Sequence, residues 1–272
     1  MEALGDVQET ADLMAYSAQM MEENNGFIKE MGKDPLVGYD ATNISSLKPY
    51  GVWLVVSPFN FPFALTGGPV GAALVAGNTV VIKPATDTAW IVRLFAECLR
   101  DAGFPDGVFN FVTGPGRTLG QALVDNPGLD GATFTGSFDV GTNLYRSFAN
   151  GKYVRPVILE LGGKNPAIVS KKADLDRATT GIIRSAFGLQ GQKCSAASRV
   201  LVEEPVYDEL VSRLKEATDK LVIGDPTEKE VYLGPVINQS SYNDFKNFTE
   251  ELNGAGGKFL TGGSVKTGGS FD

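Results

Sequence analysis

A sulfur, a carboxylate and an amide carry the chemistry legible in this chain. Cys194 stands in Gly191-Gln192-Lys193-Cys194-Ser195, between a predicted helix and a predicted strand. Glu160 stands in Leu159-Glu160-Leu161-Gly162-Gly163-Lys164, at a predicted strand end. A thiol among small and polar residues, served by a carboxylate, suits nucleophilic attack followed by hydrolysis. The sequence has no histidine, which excludes a Cys–His or Ser–His–Asp relay and makes Glu160 a leading candidate for the base. Its apolar and glycine neighbours predict a partly desolvated carboxylate, and desolvation raises a carboxyl pKa towards the range of a working base. The competing role for Glu160 is a salt-bridged structural acid. For Cys194 it is an inert buried thiol, the commonest fate of a free cysteine. The polar neighbours Gln192, Lys193 and Ser195 argue against burial, and Lys193 would favour the thiolate. Cys98, by contrast, shares a helical face with Ile91, Leu94 and Ala102 and reads as core. Asn60 lies in Ser57-Pro58-Phe59-Asn60-Phe61-Pro62, a loop stiffened by prolines. An amide fixed there either donates to a developing oxyanion, with the Cys194 N–H as second donor, or satisfies its own turn.

The elements that must position these groups follow an alternating pattern. Residues 1–30 read as one amphipathic helix, with Leu4, Val7, Ala11, Met14, Ala18 and Met21 at helical spacing. Residues 31–50 read as irregular. Strands are predicted over 52–56, 79–82, 108–112, 132–135 and 154–159, with helices over 62–76, 88–102, 118–124 and from about 140. This alternation predicts a mostly parallel sheet covered on both faces. Right-handed crossovers then bring every carboxyl end to one edge, the ligand edge of open α/β sheets. Ser57, Lys83, Gly114 and Gly136 fall at such ends. Gly136-Ser137-Phe138-Asp139-Val140-Gly141 opens a helix and reads either as a pyrophosphate cradle or as an ordinary tight turn. Lys83 reads either as a ribose or phosphate ligand or as a solvated surface lysine. A second α/β unit follows Gly163, with strands over 166–169 and 199–203 and helices over 174–188 and 207–221. The segment through Gly262-Gly263 and Gly268-Gly269-Ser270-Phe271-Asp272 reads as loop with no closing element.

Composition narrows the classes. The chain has 272 residues, 43% hydrophobic and 21% charged, which suits one large or two smaller globular domains. A net charge of −8 disfavours nucleic acid and anionic membranes as partners. No apolar run is long enough for a bilayer. Two cysteines build no disulfide framework, which makes a reducing cytoplasm the expected location, and no His/Cys cluster has metal-ligand spacing.

Taken together, the stretches at 57–62, 78–84, 134–141, 159–166, 191–194 and 233–237 resemble the aldehyde dehydrogenase superfamily, in the family's order. Within it the chain is most similar to the glutamate-semialdehyde (1-pyrroline-5-carboxylate) dehydrogenases. The stretches Ser-Pro-Phe-Asn-Phe-Pro, the run from Gly107 to Gly116 and Ser195 directly after Cys194 carry that similarity. The resemblance implies a Rossmann-like dinucleotide-binding domain over 1–30 and 50–160, an oligomerisation-arm segment over 31–49 and a partial α/β catalytic domain over 161–272. It implies that Cys194 attacks the aldehyde, that Asn60 and the Cys194 N–H hold the oxyanion, and that Glu160 activates the water that releases the acid. Ser57, Pro58, Phe59, Lys83, Gly116, Gly120, Phe134, Gly136, Ser137, Val140 and Leu161 would contact the cofactor, and Phe61 and Ser195 the substrate. The implied cofactor is NAD. Thr86, three residues after Lys83, is not an acid that would repel a 2′-phosphate, so NADP fits as well. Glu160 marks a hydrolytic rather than a coenzyme A-acylating relative. Family members extend beyond both ends of this sequence, and the resemblance implies that their C-terminal part carries further nicotinamide-ribose contacts, the rest of the substrate pocket and an oligomer-forming strand. A homo-oligomer is expected for the full-length family.

Overall fold

The computed structural model describes residues 2–267. The chain divides into two compact units, Met1–Leu161 and Gly162–Asp272. The first begins with helix α1 (Glu2–Glu23) and a short antiparallel pair, β1 (Ile28–Glu30) with β2 (Ile44–Ser46). Five strands then build a parallel sheet: β3 (Val52–Val56), β4 (Thr79–Lys83), β5 (Phe109–Phe111), β6 (Gly131–Gly136) and β7 (Val157–Leu161). They lie in the order β5-β4-β3-β6-β7. Helices α2 (Ala64–Val75), α3 (Ala89–Asp101), α4 (Gln121–Val124) and α5 (Phe138–Ala149) connect them.

β3 shows why the sheet is buried on both sides. Consecutive residues of a strand point to opposite faces, yet Leu54 and Val55 are 1% and 0% exposed. Leu54 joins Leu129, Phe134, Leu144 and Phe148 in one core cluster, while Val55 joins Val70, Val80, Val92 and Phe95 in another. The chain steps outward from β3 through β4 to β5, then returns to place β6 on the other side of β3. The order therefore reverses between β3 and β6, and the carboxyl ends of those strands mark the topological switch point.

The structure corrects the N-terminal helix. α1 ends at Glu23 rather than near residue 30, because Asn25, Gly26 and Phe27 turn left-handed with φ of 50°, 64° and 54°. The released chain forms β1, and β2 falls in the segment expected to be irregular. The buried face of α1 is also rotated from the predicted stripe. Asp6 and Thr10 are buried, while Leu4 and Val7 are 73% and 48% exposed. Fit to α2 sets this rotation. A Cβ at Gly67 would stand 2.3 Å from Thr10 Cγ2, and one at Gly71 2.9 Å from Met14 Cγ, so the glycine stripe of α2 seats those side chains. Cys98 is a further correction: it is exposed, and α3 buries Val92, Phe95, Ala96 and Leu99 instead.

In the second unit β8 (Asn165–Val169) pairs in parallel with β9 (Ala197–Val202). Helices α6 (Leu175–Phe187) and α7 (Tyr207–Asp219) cover them, with Val169, Ile182 and Leu210 at the centre. Asp174 caps α6 by accepting the N–H groups of Asp176 and Arg177. An unexpected helix, α8 (Gln239–Gly254), follows, capped by Asn238, which accepts from Ser241 N at 3.0 Å. The loop expected over 268–272 lies outside the described residues. Among the described residues no helix is long and apolar enough to cross a membrane.

Candidate active site

The carboxyl edge of the first unit is tightly pinned. Ser57, 2% exposed, directly follows β3; its N–H donates to Lys83 O at 3.2 Å and its carbonyl accepts from Ala85 N at 2.9 Å. The Thr66 hydroxyl donates to Pro62 O at 2.6 Å and stands 2.7 Å from Ser57 Oγ. These bonds close the loop that carries Pro58, Phe59, Asn60 and Phe61, all half-buried. The Asn60 Oδ1 accepts the Phe61 N–H at 3.1 Å, which orients the amide by its oxygen end.

Lys83 is not a solvated surface lysine. It is 5% exposed, its Nζ donates to Pro84 O at 2.8 Å, and no carboxylate pairs with it among the described residues. Burial pushes its pKa below the usual 10.5. A buried ammonium without a paired carboxylate among the described residues keeps donor capacity for a further acceptor.

The turn after β6 leads into α5. Ser137 takes the N-cap position with extended backbone, and its carbonyl accepts from Gly141 N at 3.0 Å. The remaining first-turn N–H groups and the helix dipole suit an anion. Close approach explains the glycines. A Cβ at Gly136 would lie 2.6 Å from Phe134 Cζ, and one at Gly141 2.6 Å from Leu161 Cδ2. Phe134, 5% exposed, therefore lies in the core beneath the turn, with Leu161 half-buried beside it, while Val140 is 54% exposed on the first turn of α5. Gly116 and Gly120 bound a single turn before α4, and a Cβ at either would meet nothing within 4 Å.

Glu160 lies on β7 opposite Thr135 of β6. The side chain is exposed, against the expectation of partial burial. β7 is an edge strand, and Ile158 and Glu160 alternate onto its exposed side.

Cys194 belongs to the second unit and is exposed, so it is no sealed core thiol. The backbone before it is strained: Leu189, Gln190 and Gly191 are consecutively left-handed, with φ of 51°, 56° and 72°. Gln192 braces this turn. Its Nε2 donates to Leu189 O at 3.2 Å and its Oε1 accepts from Ile237 N at 3.0 Å. Asn165 Nδ2 donates to the Cys194 carbonyl at 2.8 Å, and a Cβ at Gly163 would stand 3.2 Å from that oxygen. The stretches at 163–165, 191–194 and 233–237 thus converge on one cysteine loop. Sequence reasoning missed Asn165 and Gln192 as supports. The adjacent Ser195 is exposed.

A parallel sheet with a reversed strand order, a helix N-terminus at its carboxyl edge and a glycine-lined close approach belongs to the dinucleotide-binding α/β class. The comparisons refine this. The chain belongs to the aldehyde dehydrogenase family, whose model matches residues 1–271. It is 43% identical over 267 residues to a 1-pyrroline-5-carboxylate dehydrogenase of Anoxybacillus flavithermus, covering 96% of this chain and 50% of that relative. Among solved structures it resembles the 1-pyrroline-5-carboxylate dehydrogenase from Thermus with bound NAD, at TM-score 0.85 and 32% identity over 98% of this chain and 51% of that one. It also resembles 3,6-anhydro-L-galactose dehydrogenase in complex with NAP, at TM-score 0.90 and 33% identity over 99% and 55%. The chain spans about half the length of the curated relatives it matches.

Proposed function

We propose that the chain carries the nucleophile, base and dinucleotide edge of an NAD(P)-dependent aldehyde dehydrogenase that oxidises glutamate semialdehyde to glutamate. The observation that carries the reading is an exposed thiol on a strained, braced loop, in a chain whose only other cysteine lies on an unrelated helix. The names of the similar relatives support the choice of aldehyde, as does Ser195 beside the nucleophile.

Residues 1–30 and 50–160 would form the dinucleotide-binding domain and 161–272 the partial catalytic domain. Ser57, Pro58, Phe59, Lys83, Gly116, Gly120, Gly136, Ser137, Val140 and Leu161 would hold the dinucleotide. In this arrangement Lys83 would donate to a ribose hydroxyl and the α5 N-terminus would face the pyrophosphate, while Phe134 supports the turn from below. The Cys194 thiolate attacks the aldehyde carbon, and the carbonyl oxygen becomes an alkoxide held by the Asn60 amide and the Cys194 N–H. When bound, NAD(P) would supply the hydride acceptor, and loss of that hydride would leave a thioester on Cys194. Glu160 then takes a proton from water, the hydroxide adds to the thioester, and the carboxylic acid leaves as the thiolate is regenerated. Phe61 and Ser195 would contact the substrate.

The segment over 31–49 would dock on a second copy, consistent with Val37 and Ile44 at 102% and 57% exposure. Two free thiols suit a reducing cytoplasm.

The reading is tested by titrating the Cys98→Ser variant with NAD and a thiol-reactive probe, then measuring turnover over a panel of aldehydes. Selective modification of Cys194 and preference for the semialdehyde are expected. NAD binding without Cys194 reactivity or turnover would instead define a silent dinucleotide-binding module.

Lys83→Met separates binding from stability. Loss of the donor is expected to weaken NAD binding about tenfold, read by calorimetric titration. The same variant is expected to melt at higher temperature at neutral pH, because it keeps the packing of the stem and removes a desolvated charge. The sign follows from the lowered pKa. Between the folded value and the ordinary 10.5 the unfolded chain binds more protons, so wild-type stability from this group rises with pH. The melting advantage of the variant should therefore shrink as pH approaches that upper value.

A further inference from the structure

We infer that Asp6 is a positioning residue for Asn60: its buried carboxylate caps α2 and thereby fixes the loop that presents the Asn60 amide. The inference rests on the oxyanion role proposed for Asn60. The helix that follows that loop has no cap of its own. Phe63 occupies the N-cap position and supplies no side-chain acceptor. Neighbouring Phe61 and Pro62 offer none either. The orphan N–H groups of the first turn are met instead from α1. Asp6 Oδ2 accepts from Phe63 N at 3.1 Å and Oδ1 from Ala64 N at 2.8 Å. Asp6 is 8% exposed, so these bonds are made away from water, and its negative charge lies at the positive end of the helix dipole.

Both partners of the cap are held. Thr10, 3% exposed, donates from Oγ1 to the Asp6 carbonyl at 2.8 Å, which stiffens α1 at that turn. Its methyl is seated against Gly67, and Leu13 Cδ1 stands 3.0 Å from where a Cβ of Gly68 would be. The Phe63 ring packs edge-on against Phe95, with centroids 5.4 Å apart. From the capped amides the constraint passes back along the chain. Leu65 N donates to Phe61 O at 3.0 Å, and Thr66 Oγ1 donates to Pro62 O. Pro62 fixes its own φ, and Asn60 stands two residues before it. The Ser57 end of the same loop is pinned to Lys83 O and Ala85 N. Without Asp6 the Phe63 and Ala64 N–H groups at the other end would lose their acceptors, leaving the Phe61 and Pro62 carbonyl bonds to hold it.

Hydrogen exchange on wild type, Asp6→Ala and Asp6→Asn tests this, together with turnover. Peptides covering 57–66 should exchange at least about tenfold faster in Asp6→Ala, with β3 and β4 unchanged. Asp6→Asn, which keeps one accepting oxygen, should fall between. If Asp6→Ala also loosens β3, Asp6→Asn decides the matter. The kcat should fall about tenfold with a smaller rise in KM for NAD, because the Ser57 end stays pinned, and Asp6→Ala should cost nothing further in an Asn60→Ala background. Unchanged exchange over 57–66 in both variants overturns the inference, as does a kcat loss that adds fully to that of Asn60→Ala. Should Asn60→Ala itself leave kcat intact, the oxyanion reading fails, and the exchange result still decides whether Asp6 fixes the loop.

Discussion

Replacing Cys194 by alanine is expected to abolish aldehyde oxidation, with a loss of at least about 10⁴-fold in kcat. A methyl group at this position cannot form the thiohemiacetal that the proposed route requires. The residues proposed to hold the dinucleotide belong to the first unit, up to Leu161, whereas Cys194 belongs to the second. NAD affinity should stay within about twofold, since the thiol is not among the groups proposed to hold the dinucleotide. Stability should change little, because the removed sulfur is exposed and surface changes are usually within about 0.5 kcal/mol. Steady-state assays and calorimetric titration of one preparation check both halves. Cys98→Ser is the control. Cys98 is also exposed, so an alkylating reagent reaches both thiols, and inactivation alone does not identify the nucleophile.

Glu160→Gln is expected to produce a burst of NADH matching the enzyme concentration, followed by a steady state about 10²- to 10⁴-fold slower. The amide keeps the shape of the carboxylate and loses its basicity, so thioester formation proceeds while hydrolysis stalls. Substitution at this exposed position on β7 is expected to leave the melting temperature within about a degree or two, which separates the phenotype from a folding defect. Rapid-mixing absorbance resolves the two phases. Equal loss in burst and steady state would move Glu160 from deacylation to an earlier step.

Much of the sheet was legible because its strands are apolar on both faces. The strand predicted over 52–56 is observed with the same bounds, and β4, β6 and α2 differ from expectation by a few residues. The parallel arrangement followed from strand–helix alternation alone. Features set by tertiary fit were not legible. The stripe of Leu4 and Val7 predicted one face of α1, but the glycines of α2 selected Asp6 and Thr10. Cys98 was misplaced for the same reason: two helical faces of α3 carry apolar residues, and packing chose Val92 and Leu99. α8 escaped notice because Phe245 and Phe248 remain exposed and Thr249 alone is buried, which leaves a faint period. Its Asn238 cap was the signal available. Glu160 shows a subtler miss, since apolar neighbours in sequence did not bury it on an edge strand. Of the site, the loop bearing Asn60 and the cysteine segment were readable as motifs. Their supports Asp6, Asn165 and Gln192 act through bonds to residues distant in sequence or to backbone groups, which composition and spacing do not display.

The most direct measurement is the mass of the Glu160→Gln variant quenched in acid seconds after mixing with NAD and glutamate semialdehyde. A single acyl group should be found on the peptide containing Cys194, removable by hydroxylamine and absent without NAD. A variant that turns over its burst yet carries no such group, or carries it on Cys98, would contradict a covalent route through Cys194.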